Sequence, residues 1–195
     1  MKTIYLASSL TALLASAALV PTTTQAANYV IDTQGAHAFI QFRVNHLGYS
    51  WLYGRFNTFE GTFSYDADDL AASSIQLTID TRSVDSNHAE RDRHLRNEDF
   101  LNTSRYPEAT FNSTSVVAKA DGRFDLHGEL TLNGVTKALV IDAEKMGEGT
   151  DPWGGHRAGF SGTTEFALKD FGINYDLGPA ATHVYLDLTV EGIRQ

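Results

Sequence analysis

The chain has 195 residues, with 15 Lys and Arg against 24 Asp and Glu, a formal net charge of −9, and no cysteine. So acidic a balance excludes binding to nucleic acid or to an anionic bilayer by charge alone. The lack of cysteine excludes a disulfide framework and a lipidated N-terminal cysteine, so packing must hold the fold.

Residues 1–26 read as a cleaved signal peptide. Lys2 supplies a minimal basic start, Ile4 to Val20 an apolar core, and Thr24-Gln25-Ala26 a small-x-small cleavage site. Ser8, Ser9, Thr11 and Ser16 dilute the apolar run, which argues against a retained anchor and against stable membrane insertion. The remainder, 27–195, shows no repeat, low-complexity run or linker and is predicted to be one domain.

The mature chain alternates like strand after strand. Tyr29 to Asp32 comes first, followed by Ala36 to Val44, where Ala38, Ile40, Phe42 and Val44 share a face. Tyr53 to Tyr65 places Phe59, Gly61, Phe63 and Tyr65 on one side; Ser74 to Thr81 does the same with Ile75, Leu77 and Ile79. Asn87 to Phe111 breaks the pattern. Asn87 with Glu90 three residues on predicts a helix start, Asn97 a left-handed end, and Pro107 forbids continuation. Asp92 and Arg96, at i and i+4, read as a solvated helical pair, the other reading being Asp92 and His94 at the barrel mouth pinning the helix to the strands; the structural role is preferred for both. We expect residues 88–101 to cap whatever the strands enclose, with Leu95, Phe100 and Leu101 turned inward.

Beyond the helix, Thr110 to Ala120 leads to an Asp121-Gly122 hairpin, and Arg123 to Leu132 alternates through Phe124, Leu126, Gly128, Leu130 and Leu132. Asn133-Gly134 marks a second hairpin before Val135 to Ala143. Gly147 to Gly155 is read as a long loop, and Arg157 to Leu168 and His183 to Ile193 as the last strands. About eight antiparallel strands with short connections are removed from edge trouble by closing into an up-and-down barrel. A two-sheet sandwich fits the same periodicity. An eight-stranded barrel is either filled by side chains or holds one small ligand, and patterning alone favours the filled core.

No Gly-x-Ser-x-Gly elbow, His-Glu-x-x-His motif, Gly-x-Gly-x-x-Gly or P-loop is present. The seven histidines read as surface or structural rather than as a metal set. For an enzyme on an apolar substrate, the acid-base candidates are Asp92, His94 and His46. Trp51 and Trp153 are read either as flanking a pocket mouth or as simply half-buried.

A set of short matches runs in order along nearly the whole mature chain. They are Ile31-Asp32, Ala36-His37-Ala38-Phe39-Ile40-Gln41-Phe42, His46-Leu47-Gly48, Gly54-Arg55-Phe56, Phe59-Glu60-Gly61, Asp92-Arg93-His94-Leu95, Asp99-Phe100-Leu101 and Tyr106-Pro107. Phe111-Asn112-Ser113-Thr114, the run Gly128 to Lys137, and Asp170-Phe171-Gly172 continue them. In these residues the chain resembles the YceI-like family of bacterial periplasmic polyisoprenoid-binding proteins.

The resemblance implies an extended lipocalin-like barrel holding a polyisoprenoid such as a prenyl quinone or prenyl phosphate, with no catalytic residues and no required cofactor or metal. It implies a periplasmic location and allows a homodimer. It turns the apolar strand faces into an expected ligand lining: Ile40, Phe42, Val44, Phe59, Phe63, Leu77, Leu95, Phe100, Phe111, Leu126, Leu130, Leu132, Phe160, Leu186 and Leu188. Export with cleavage after Ala26 is checked by the intact mass of the periplasmic protein, expected to match a chain beginning at Ala27; a mass retaining residues 1–26 overturns it.

Overall fold

The computed structural model describes residues 26–195, so all but the last residue of the expected signal peptide lies outside the described residues. The strands are β1 (Ala27–Ile31), β2 (Phe39–His46), β3 (Ser50–Phe56), β4 (Phe59–Tyr65), β5 (Ser74–Asp80) and β6 (Val84–Asp85). After the helix α1 (Ala89–Leu95) come β7 (Glu108–Ala118), β8 (Arg123–Leu132), β9 (Val135–Thr150), β10 (His156–Ala167) and β11 (His183–Arg194).

These eleven segments make eight staves, because three staves are each broken once. β11 pairs by its first half with β2, Val184 opposite Val44, and by its end with β1, Ile193 opposite Val30. β2 then pairs with β3 and β1 with β4, while β4 pairs with β5 and β3 with β6. Each full stave lies beside its sequence neighbours, all antiparallel, and the β1–β11 contact closes the ring. The result is the up-and-down barrel, and the sandwich is excluded. Closure satisfies the backbone donors and acceptors that an open edge would leave bare.

Four local expectations are corrected. The single strand read from Tyr53 to Tyr65 is interrupted at Asn57 and Thr58, where Asn57 N–H and Thr58 N–H turn aside to Ser83. The loop read from Gly147 to Gly155 shrinks to residues 151–155. Gly147 and Gly149 stay in β9, paired with Gly159 and Arg157, and a bulge at Gly159/Phe160 takes up the register. The helix is capped by His88, whose Nδ1 accepts from Arg91 N–H at 3.2 Å; Asn87 instead takes φ 60° to turn the chain out of β6. Its end stays right-handed at Arg96, and the left-handed residue is Asn102, with φ 46°. By contrast Asn133-Gly134 has φ 49° and 74°, the double positive φ that a two-residue hairpin between Leu132 and Val135 needs.

The inner wall is kept thin by glycine. A Cβ on Gly54 would lie 2.2 Å from Phe42 Cζ, one on Gly128 2.3 Å from Phe111 Cζ, and one on Gly192 2.3 Å from Phe63 Cε1. Each ring thus lies over a glycine on a nearby strand instead of projecting across the lumen. An ordinary side chain there would push the ring inward.

Outside the wall, Arg157 on β10 joins three acidic groups from separate segments. Its Nη1 donates to Asp32 Oδ2 and Glu191 Oε1, each at 2.6 Å, and its Nε to Asp151 Oδ2 at 2.7 Å. Asp32 starts the loop that breaks the first stave, so this guanidinium ties that loop to β10, β11 and the β9–β10 turn. The bond from Arg157, with one to His37 Nδ1, holds the Asp32 carboxyl down at about 2, below its ordinary 3.8.

Two outcomes are expected. Gly54→Ala should lower stability by about 1–3 kcal/mol, read by denaturant unfolding, because the Phe42 ring must leave its rotamer. Asp32 carries its proton less readily folded than unfolded, so its stabilisation is full above about pH 4 and is lost as pH falls toward 2. Asp32→Asn should therefore cost about 2 kcal/mol at pH 7 and flatten that acid limb of the stability curve. An unchanged limb overturns the assignment.

Candidate functional site

The barrel interior holds two cavities. One, of about 1080 Å³ counted to its open mouth, sits where β4 ends and β5, β8 and β10 begin, with Phe63, Ile75, Phe111, Phe124, Phe160 and Leu188 on its wall. The other, about 1480 Å³ on the same count, sits under α1 between the ends of β2, β8 and β10. They share Ile40, Ile79, Leu130 and Leu186, which form a waist between an upper, cap-side chamber and a lower one. From Phe124 in the lower chamber to Leu132 in the upper, β8 advances eight residues, or roughly 26 Å along the strand.

All fifteen side chains expected to line the interior border one of the two chambers. Phe42, Val44, Leu95, Phe100 and Leu132 face the upper one, the waist takes Ile40, Leu130 and Leu186, and the other seven face the lower one. Sequence reasoning missed Ile79 at the waist, Leu139 and Ile141 on β9, and Phe166, Ile173 and Leu177 near the cap. Ile79, Leu139, Ile141 and Phe166 lie in the alternating phase of their strands and were legible by period two. Ile173 and Leu177 lie in an irregular segment, where no period exists.

The two chambers differ in polarity. Around the lower one the polar side chains are Ser64, Tyr65, Ser73, Ser74 and Ser161, with no charged group. Leu70, on a short 3-10 turn started by Asp69, covers part of its mouth. The upper chamber adds His46, Arg91 and His94 to its wall. The lower chamber therefore offers hydroxyl groups at most, and a charged or ionisable nitrogen is met only on the cap side.

The cap is held by directed bonds rather than by packing alone. Asp92, buried, accepts from Ser86 N–H at 2.8 Å and from the Ser86 hydroxyl. Arg91 Nη2 donates to Ser86 O at 2.6 Å, and Arg96 Nη2 to Val84 O at 2.7 Å. The expected Asp92–Arg96 pair along the helix is therefore replaced: both side chains reach instead to β6 and its approach. Phe100 and Leu101 are buried, Leu95 packs on the same core, and His94 stacks edge-on against Phe100 and Tyr175 at about 5 Å. Below them Phe171, almost fully buried, closes the floor of this end, with its carbonyl bonded by Asn133 Nδ2 at 3.0 Å.

Of the acid-base candidates, His46 and His94 border the upper chamber, and Asp92 does not: both of its bonds go to Ser86. His94 Nε2 lies 3.3 Å from Asp99 Oδ2. Neither tryptophan borders a chamber. Trp51 lies on the outer wall, edge-on to Tyr185 with the Arg43 guanidinium over it, and Trp153 is four-fifths exposed in the β9–β10 turn. Asp32, His37 and Glu191 have their ligand atoms close enough to share an ion. The Arg157 guanidinium, 2.6 Å from both carboxylates, supplies the positive charge there, so the donor set does not fit a metal.

The chain matches the YceI-like domain model over residues 29–192. It is 62% identical to a UPF0312 protein of Shewanella sp. (strain W3-18-1) over 186 residues, covering 95% of this chain and 97% of that one. Its fold is similar to BcnA of Burkholderia cenocepacia, with a TM-score of 0.75 at 19% identity over 83% of this chain and 98% of that one. It is also similar to a polyisoprenoid binding domain from Saccharophagus degradans implicated in plant cell wall breakdown, with a TM-score of 0.63 at 17% identity, covering 86% and 98%. The chain belongs to the YceI-like family.

Proposed function

We propose that this protein binds a polyisoprenoid lipid in its barrel, of the prenyl quinone or prenyl phosphate type, and serves as its periplasmic carrier. The observation that carries this is the pair of apolar chambers meeting at a waist, one lined without any charged group and the other with Arg91, His46 and His94 beneath the cap. Empty apolar volume lowers stability, and hydrocarbon filling it returns about 0.8 kcal/mol per buried methylene. A long branched hydrocarbon fits two chambers in series with its tail in the uncharged one. Its polar head belongs beside Arg91, His46 and His94. The structural likeness to a polyisoprenoid-binding domain supports the same ligand class.

A carrier needs nothing further from the protein. A prenyl tail is insoluble in water, and the barrel replaces the bilayer around it. Of the acid-base candidates, Asp92 is committed to Ser86 and lines neither chamber, which counts against it as an acid or base toward a bound ligand.

Organic extraction and mass spectrometry of the purified protein are expected to release a chemically intact prenyl lipid. Recovery of none, or only of a converted product, overturns the carrier. Leu130→Asp puts a carboxylate at the waist, where it faces hydrocarbon, and should lower retained lipid by roughly tenfold or more while the barrel stays folded. A folded variant with its full lipid complement would show that the ligand does not cross the waist.

A further inference from the structure

The upper chamber opens beside the β2–β3 hairpin, and the tip of that hairpin is unlike the rest of the surface. Leu47 is 54% exposed and Tyr49 87% exposed, with Trp51 40% and Tyr53 59% exposed behind them. Tyr175, on the neighbouring segment, is also exposed, and Leu47 Cδ2 approaches Gly178 on that same segment. His46 precedes the tip and Leu177 precedes Gly178; both border the upper chamber. Leu47, Tyr53 and Tyr175 thus lie beside residues of the chamber's wall, with Tyr49 and Trp51 on the outer side of the same hairpin.

Charge marks the same place. From Thr33 to Phe59 the chain has no Asp or Glu, but it has Arg43 and Arg55, in a protein with 24 acids and a net charge of −9. The acids close to this surface include Asp187, 4.0 Å from Arg43 Nε, Asp85, 3.5 Å from Arg55 Nη2, Asp99, 3.3 Å from His94 Nε2, and Asp176, whose carboxylate accepts from Gly178 N–H. Repulsion from the remaining acids is screened beyond about 8 Å at physiological ionic strength. Leu, Tyr and Trp on a hairpin that itself carries no acid are the composition that settles at the boundary between headgroups and acyl chains. The turn is rigid as well, with Leu47 at φ 55°, Gly48 at φ 84° and Gly48 N–H bonded to Asn45 Oδ1 at 2.6 Å. Leu in the left-handed region carries backbone strain, and in return its side chain is held outward.

The edge of β3 adds a path. Only Arg55 and Phe56 pair with β6, so residues 50–54 have β2 on one side and no strand on the other. α1 and its flanks fill that gap. Tyr53 and Ser86 border both the upper chamber and a polar cleft on the outside, of about 670 Å³. These two residues are shared by lumen and exterior beside a strand edge and a seven-residue helix.

We propose that the tip of the β2–β3 hairpin, Leu47 to Trp51, docks the protein on a lipid bilayer and sets the cap-side mouth against the acyl chains. Lipid then enters between the β3 edge and α1 without crossing water. This rests on the reading of the chambers as a lipid site, but docking itself is measurable on protein of any lipid content.

The test uses vesicles of phosphatidylcholine and phosphatidylglycerol at roughly 3:1, a mixture with a negative surface. The native protein should float with them. Leu47→Asn with Tyr49→Ser removes the apolar tip, and Asn tolerates the left-handed turn; it should weaken partitioning by about tenfold with an unchanged thermal transition. In Trp153→Phe, where Trp51 is the remaining indole, emission should shift to shorter wavelength on adding vesicles. No flotation of the native protein, equal flotation of the double variant, or a shift confined to Trp153 in Trp51→Phe each overturn the proposal. So does a native dimer that the double variant makes monomeric without any vesicle binding. Docking with no lipid extracted would instead defeat the carrier alone, and extracted lipid with a double variant that docks normally would defeat docking alone.

Discussion

The structure depends on a single pairing constraint: β11 hydrogen-bonds two separate segments, β1 and β2, along one edge. That double use closes the ring, and it obliges the first stave to break at residues 32–38. The break would be a weak point in a closed barrel. Arg157 compensates by reaching Asp32 from β10 and binding Glu191 and Asp151 in the same fork. Asp32 is buried and its carboxyl stays ionised because the guanidinium is already in place. One cation thus holds the break in a chain that has no cysteine for a disulfide.

Closure by itself leaves open whether the lumen is filled. Glycine decides that. With Phe42, Phe63 and Phe111 lying over Gly54, Gly192 and Gly128, large rings cover the wall instead of meeting at the axis. The lumen then remains hollow on both sides of the Ile40, Ile79, Leu130 and Leu186 waist. The same apolar residues in a barrel without those glycines would pack into a solid core.

The cap has different physics from the staves. It is a single short helix, too short to be stable alone. It is retained by charge-assisted bonds from Asp92, Arg91 and Arg96 to Ser86, Arg82 and Val84, and by Phe100 and Leu101 beneath. A few polar bonds to one edge let a segment open as a unit while the barrel stays closed. That is what the proposed long, insoluble ligand would require. The unpaired part of β3 lies alongside, and the exposed hairpin beyond it.

The sequence by itself determined most of the strands, the two hairpin turns, the helix α1 and the inward phase of most staves, but not the phase of β9 or the break at Asn57 and Thr58. Those follow from period-two alternation and from residues such as Asn133 and Gly134 whose backbone preference is local. It also marked the fifteen side chains that face the lumen. Tertiary structure alone decided that the lumen is hollow, since Gly54 and Phe42 meet only across paired strands. It also decided that Asp92 and Arg96 bond to the β6 region rather than to each other, because Ser86 and Val84 are brought beside the helix by the fold. Arg157 gave no local signal at all: its three acids lie 125, 6 and 34 residues away. Local pattern fixes which way a side chain points, and only chain closure fixes what it meets.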